Sequence, residues 1–226
     1  MSTSPPSSAN PGLTEQVAAR LAAVRQRIAD AGGDPAVVKV LAVTKGFGPD
    51  AVAAAGAAGL HDVGENYAAE LRDKAPGPDA TRWHFLGAVQ RNKIPSLAPL
   101  VDVWQSVSRP EEGERIAAYR RGAAVMVQVD TTGLERRNGC APSDVPALVA
   151  SLSSVGLNVT GLMTVAPQGE GAAAAFELVA HLADSLGLPE RSMGMSDDLE
   201  AAVAAGSTMV RIGRGLFGDR PARVHL

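Results

Sequence analysis

Val37-Val38-Lys39-Val40-Leu41-Ala42-Val43-Thr44 is the stretch that decides the fold. It is short, apolar and rich in β-branched residues. A strand with one wet face alternates apolar and polar residues, whereas a parallel strand covered by helices on both faces is apolar throughout. The stretch therefore reads as a buried parallel strand, running out at Thr44-Lys45-Gly46. Before it, Leu13, Val17, Leu21, Val24 and Ile28 recur at steps of three and four, the helical period. Thr14 and Glu15 suit the start of that helix, and Gly32-Gly33 suits its end.

After it the same alternation repeats. Helices are expected over 50–58, 65–74, 91–98, 110–121, 143–155 (capped at Ser143, with Asp144 in its first turn), 171–186 and 197–205. Strands are expected over 60–63, 82–86, 101–106, 123–130, 157–164, 191–195 and 208–212, and a last turn or short helix over 215–219. Alternating β and α elements imply a parallel sheet with helical cover. Eight such units favour a single (β/α)₈ TIM barrel with an extra N-terminal helix; an open doubly wound α/β sheet is the alternative. Residues 1–12, MSTSPPSSANPG, read as a disordered tail, and 13–226 as one domain.

Composition narrows the function. A net charge of −3 lacks the basic footprint of a nucleic-acid binder. No apolar run approaches the roughly 20 residues of a spanning helix, and the N-terminus does not resemble a secretory signal. Cytoplasmic residence is expected, with no membrane and no nucleic-acid partner. The lone Cys140 excludes an internal disulfide. No His/Cys/Asp grouping has metal-ligand spacing, and no nucleophile elbow or P-loop is present. Only four of the 21 basic residues are lysines (Lys39, Lys45, Lys74 and Lys93), so few compete for a covalent role.

Barrel enzymes and binders place their sites at the C-terminal ends of the strands. Lys45 ends the first strand. Burial there lowers a lysine's pKa, and a neutral amine can form a Schiff base; an exposed strand-edge lysine is the plainer reading. Ser192-Met193-Gly194-Met195-Ser196-Asp197-Asp198 ends the seventh strand, with Ser196 as candidate N-cap and phosphate ligand. Val210-Arg211-Ile212-Gly213-Arg214-Gly215-Leu216-Phe217-Gly218 closes the eighth. Loops after strands 7 and 8 commonly form a phosphate site. Arg211 is either an outward salt-bridging residue or an inward cation facing the ring of a phosphate-anchored cofactor. In the second case it would keep a ring nitrogen unprotonated and limit carbanion chemistry, because a guanidinium stays protonated. Asn66, Gln105, Gln128, Asp130, Met163 and Thr164 are further strand-end positions. His84, flanked by Trp83 and Phe85, reads first as a satisfied core histidine.

Taken together, LAVTKG, VGENYAAELRDK, WHFLGAVQRNK, GLMTVAP and SMGMSDDLEAAVAAGSTMVRIGRGLFGDR resemble the pyridoxal phosphate homeostasis protein family, over residues 13–220. That family is similar to the barrel domain of alanine racemase, a fold type III barrel for pyridoxal 5'-phosphate (PLP). The resemblance implies PLP as cofactor, carried as a Schiff base on Lys45. It implies that Ser196, Gly213 and Arg214 surround the phosphate and that Arg211 faces the pyridine nitrogen. It also implies that Asn66, His84 and Met163 line the pocket. It implies a role in vitamin B6 homeostasis rather than dedicated turnover, with PLP-dependent apo-enzymes as possible clients. Two positions depart from the family's pattern. Arg137, in the stretch after the fifth strand, replaces a lysine, which puts a secondary PLP role in doubt. Arg214 stands where a small residue is common, and its side chain adds a phosphate contact only if it turns inward.

An alternative is a slow racemase-like PLP enzyme. Fold type III enzymes add a β-domain; the sequence ends eight residues after Gly218, so none is expected, and a monomer is favoured. Lys45 would serve one face of a substrate carbon, and the second base would be missing. A phosphate-sugar barrel with an aldolase-type lysine is a third reading, on fold analogy alone.

Overall fold

The computed structural model describes residues 11–134 and 138–220. Among them, eight parallel strands close into a barrel in sequence order. They are β1 (Lys39–Val43), β2 (Asp62–Glu65), β3 (Arg82–Phe85), β4 (Val103–Val107), β5 (Ala124–Val129), β6 (Asn158–Thr164), β7 (Glu190–Ser192) and β8 (Met209–Ile212). Closure is made by β1 against β8, with Leu41 opposite Arg211. The helices are α1 (Pro11–Asp30), α2 (Pro49–Ala57), α3 (Ala68–Lys74), α4 (Ile94–Leu97), α5 (Pro110–Tyr119), α6 (Val145–Ser154), α7 (Gly171–Ser185), α8 (Leu199–Ala204) and α9 (Arg214–Phe217). The open-sheet alternative is thereby excluded. Among the described residues no helix is long and apolar enough to cross a membrane.

The continuous apolar strands are explained by burial on both faces. Leu41, Val103, Met126, Met163 and Met209 pack together inside the barrel. Outward-facing strand residues meet the helices in two larger clusters. The stripe Val17, Leu21, Val24 and Ile28 of α1 is buried against α2, α8, α9 and the β1–β8 seam. At roughly 1.5–3 kcal/mol for each large apolar side chain removed from water, that stripe is enough to dock the extra helix.

Several local expectations are corrected. Helix α1 already includes Pro11 and Gly12, which the sequence assigned to the tail; residues 1–10 lie outside the described residues. Glu65 is not the start of a helix but the buried last residue of β2. It follows Val63 at the strand period of two, which the expected helix obscured. Strand β7 stops at Ser192, so Met193 to Asp198 is loop, and the N-cap position of α8 is Asp198 rather than Ser196. Helix α6 starts after a 3₁₀ turn at Pro142–Asp144, with Asp144 as its N-cap and no side-chain cap from Ser143.

Candidate functional site at the barrel mouth

The C-terminal ends of β1, β2, β7 and β8 gather most of the residues singled out above. Lys45 follows Thr44 at the end of β1 and is half-buried. Its neighbours are held tightly. Thr44 Oγ1 donates to Glu65 Oε1 at 2.6 Å. Lys74 Nζ donates to the Thr44 carbonyl at 2.8 Å and to Glu65 Oε1 at 2.6 Å. Glu70 Oε2 accepts from Lys74 Nζ at 3.1 Å and from the Gly46 N–H at 2.7 Å. Gly46 has φ of +79°, a conformation that suits glycine and lets the chain turn immediately after Lys45. The side chains of Glu65 and Lys74 are almost fully buried, so this is an internal ion pair with its hydrogen bonds supplied.

The Lys45 amine is set below its ordinary 10.5. Burial is the main cause, the charges of Arg220 and Arg211 add to it, and Glu65 and Glu70 oppose it. Burial disfavours an ammonium and two nearby cations repel it, so more of the amine is neutral at a given pH. Arg220 lies over the turn: a Cβ on Gly46 would sit 2.9 Å from Arg220 Cδ.

Next to it, across the β1–β8 seam, the β7–α8 and β8–α9 loops meet with little side chain between them. A Cβ at Gly215 would lie 3.1 Å from Ser196 Oγ and 2.8 Å from Ile212 Cγ2. A Cβ at Gly213 would lie 3.3 Å from the Val43 carbonyl. In α9 the N–H groups of Leu216 and Phe217 donate to the Gly213 carbonyl at 2.9 and 3.0 Å, whereas the first N–H groups of a helix, here those of Arg214 and Gly215, have no intrahelical acceptor. Arg214 turns outward: its side chain is 65% exposed and lies 3.5 Å from Asp197 Oδ2. Of the two options open in the sequence, only its backbone remains at the cradle.

Arg211 points inward. It is buried, Nη1 donates to the Ser192 carbonyl at 2.5 Å and Nη2 to the Thr164 carbonyl at 2.6 Å. Burial pushes its guanidinium down to about 10, opposed by Asp198, so it remains a cation at neutral pH. The outward salt-bridge reading is corrected. Asn66 follows β2, and its Oδ1 is buried without a hydrogen-bond partner, as is Glu65 Oε2. His84 and Met163 lie deeper. Met163 belongs to the interior apolar cluster. His84 is engaged at both ring nitrogens, by Asp62 and by Gln105 at 2.7 Å each, which is the satisfied core histidine and leaves no nitrogen to face a ligand in the mouth.

Sequence reasoning passed over Glu65, Glu70, Lys74 and Arg220. The available signal was Glu65 itself, a carboxylate directly following an apolar strand end. Arg137 lies outside the described residues.

Fold and mouth together define a barrel of the alanine racemase type: residues 14–221 match the family model described as alanine racemase, N-terminal domain. The alanine racemase of Clostridium difficile shares the fold, with a TM-score of 0.71 at 15% identity over 90% of this chain and 57% of that one. More similar chains narrow this. The pyridoxal phosphate homeostasis protein of Pseudomonas aeruginosa is 42% identical over 222 residues, covering 92% of this chain and 96% of that protein. That of Deinococcus radiodurans is 41% identical, covering 89% and 99%. PipY of Synechococcus elongatus, solved with PLP bound, superposes with a TM-score of 0.74 at 34% identity, covering 89% of this chain and all of that one. The chain belongs to the pyridoxal phosphate homeostasis protein family.

Proposed function

We propose that this protein binds PLP at the barrel mouth, covalently through the Lys45 amine, and serves PLP homeostasis by holding the cofactor rather than by turning over a substrate. The observation that carries the reading is the placement of Lys45 and Arg211. Lys45 follows β1, and Arg211 turns inward from β8, the strand paired with β1 at the barrel seam. When bound, PLP supplies an aldehyde that condenses with primary amines.

The residues fit that group. Lys45 offers a half-buried amine biased toward its neutral form. The Gly213–Gly215 segment and Ser196 form a cradle with no room for added side chain, suited to a phosphate approached by backbone N–H and a hydroxyl. The orphaned Asn66 Oδ1 marks a polar position just after β2, the strand paired with β1, that lacks a partner. Arg211 presents a permanent donor. A guanidinium beside the pyridine nitrogen would keep that nitrogen unprotonated, which weakens electron withdrawal and favours storage over carbanion chemistry. Met163 and His84 support the site from below.

The homeostasis role is carried over from the relatives' names. Delivery to PLP-dependent apo-enzymes, a monomeric state and cytoplasmic residence belong to the same proposal. Adding PLP to purified protein is expected to produce a visible absorbance band that borohydride bleaches, leaving the added mass on the Lys45 peptide. Lys45→Ala is expected to lose that mass while remaining folded. Protein that stays colourless with excess PLP, or a Lys45→Ala variant carrying the same reduction-resistant mass, would overturn the reading. Faster activation of an apo-enzyme by the loaded protein than by equal free PLP tests delivery.

A further inference from the structure

The polar side chains inside the barrel form one continuous chain beneath the mouth. Arg211 Nη1 donates to Ser192 Oγ at 3.0 Å. A guanidinium only donates, so Ser192 Oγ accepts there and its own hydrogen points to Gln105 Oε1 at 2.7 Å. The Gln105 amide nitrogen then faces His84 Nδ1 at 2.7 Å, with Met209 Sδ at 3.1 Å as a second, weak acceptor. Because Nδ1 accepts, the ring hydrogen sits on Nε2, which donates to Asp62 Oδ1 at 2.7 Å. Donors and acceptors thus match in one direction, from the cation to the carboxylate. Turning the Gln105 amide over would put its NH₂ against a hydroxyl that already accepts from Arg211. It would also require hydrogen on both His84 nitrogens.

The chain threads the barrel lengthwise. Asp62 opens β2, on the N-terminal side, where Lys39 and Glu190 also pair. Arg211 is the third residue of β8. Ser192, Gln105 and His84 between them are buried, whereas Asp62 is partly open. Among the described residues no carboxylate pairs directly with Arg211, and Asp198 acts only through its field. Hydrogen bonds strung together in a low-dielectric interior polarise one another. Burial alone would push Asp62 up. The hydrogen bond from His84, with help from the charges of Arg82 and Lys39, instead holds it below the ordinary aspartate, so it is a carboxylate at neutral pH.

We infer that Asp62 is a positioning residue for Arg211. Through His84, Gln105 and Ser192 it orients the guanidinium at the mouth, and it supplies, at the far end of the chain, the carboxylate that the buried cation lacks beside it. The reach of this effect to the cofactor rests on the proposed PLP site; the chain itself does not.

Two readouts test it. In protein without PLP, the His84 ring nitrogens, followed by NMR, are expected to show hydrogen on Nε2 and an accepting Nδ1. Asp62→Ala should lose that single tautomer, and Asp62→Asn, still an acceptor, should keep it. In PLP titrations, Asp62→Ala is expected to shift the visible band and to weaken binding about fivefold, the equivalent of one ordinary net hydrogen bond. Asp62→Asn should shift the band less. Ser192→Ala added to Asp62→Ala should cost little more, because both break one chain. A merely structural Asp62 would lower the melting temperature and leave the band in place. A wild-type His84 with hydrogen on Nδ1 overturns the inference, and so do an unchanged band and affinity in Asp62→Ala, Asp62→Asn and Ser192→Ala. If wild-type protein takes up no PLP, the cofactor reading fails while the His84 resonances still decide the chain. If Asp62→Ala does not fold, Asp62→Asn and Ser192→Ala carry the test.

Discussion

The two sides of the barrel mouth are built differently. On the β1–β2 side, Lys45 stands between residues tied down by a buried ionic cluster of Glu65, Lys74 and Glu70. On the β7–β8 side, the cradle is backbone and glycine, and its one long side chain, Arg214, points to solvent. A single reactive side chain needs its strand end fixed, which charges and hydrogen bonds accomplish at the cost of desolvation. An anion needs converging N–H groups and space, which the absence of Cβ atoms provides.

The comparison can be broken most forcefully at Glu65. Glu65→Ala leaves Lys74 buried without its main partner and is expected to cost about 3–5 kcal/mol. Denaturant unfolding would measure it, and a loss near zero would mean that the cluster does not anchor Lys45. Glu65→Gln should cost less, since its amide oxygen can still accept from Lys74. On the other side, Gly215→Ala pushes a methyl against Ile212 and Ser196 and is expected to cost about 1–3 kcal/mol through overpacking. PLP affinity should fall with it. Titration and melting on one sample would separate the two effects.

A third test concerns pH. The Lys45 amine has its folded pKa below 10.5, so between the folded and unfolded values the unfolded chain binds more protons and stability rises with pH. The rate of covalent PLP capture should therefore climb with pH and level off below the ordinary lysine range. Arg211→Ala removes one of the repelling charges and should move that midpoint upward. A midpoint that does not move would separate the two residues electrostatically. The smallest effect is expected for Arg214→Ala. An exposed pair at 3.5 Å is worth roughly 0–1 kcal/mol, and thermal melting should barely change.

Much of this molecule is legible in its sequence because the signals are local. The apolar run 37–44, the helical stripe of α1 and the glycines at 213, 215 and 218 depend on neighbours within a few residues. Position on a strand end then picked out Lys45 and Arg211. The cluster around Lys45 was not legible in the same way. Glu65 was read as a helix start and Lys74 as the last residue of that helix, and only the fold buries Lys74 against the ends of β1 and β2.

His84 marks the boundary most clearly. Its apolar neighbours made it a core histidine, and the structure agrees. Its partners come from β2 and β4, and the chain continues through β7 to β8, over sequence separations of up to 87 residues. By itself the sequence determined the order of strands and helices, the lysine at the first strand end and the glycine-rich loops at the last two. Only the closed barrel decided which polar residues share its interior and that Arg211 turns inward while Arg214 turns out. The physical reason is that periodicity is set by neighbours along the chain, whereas donor–acceptor matching across a barrel is set by register and closure.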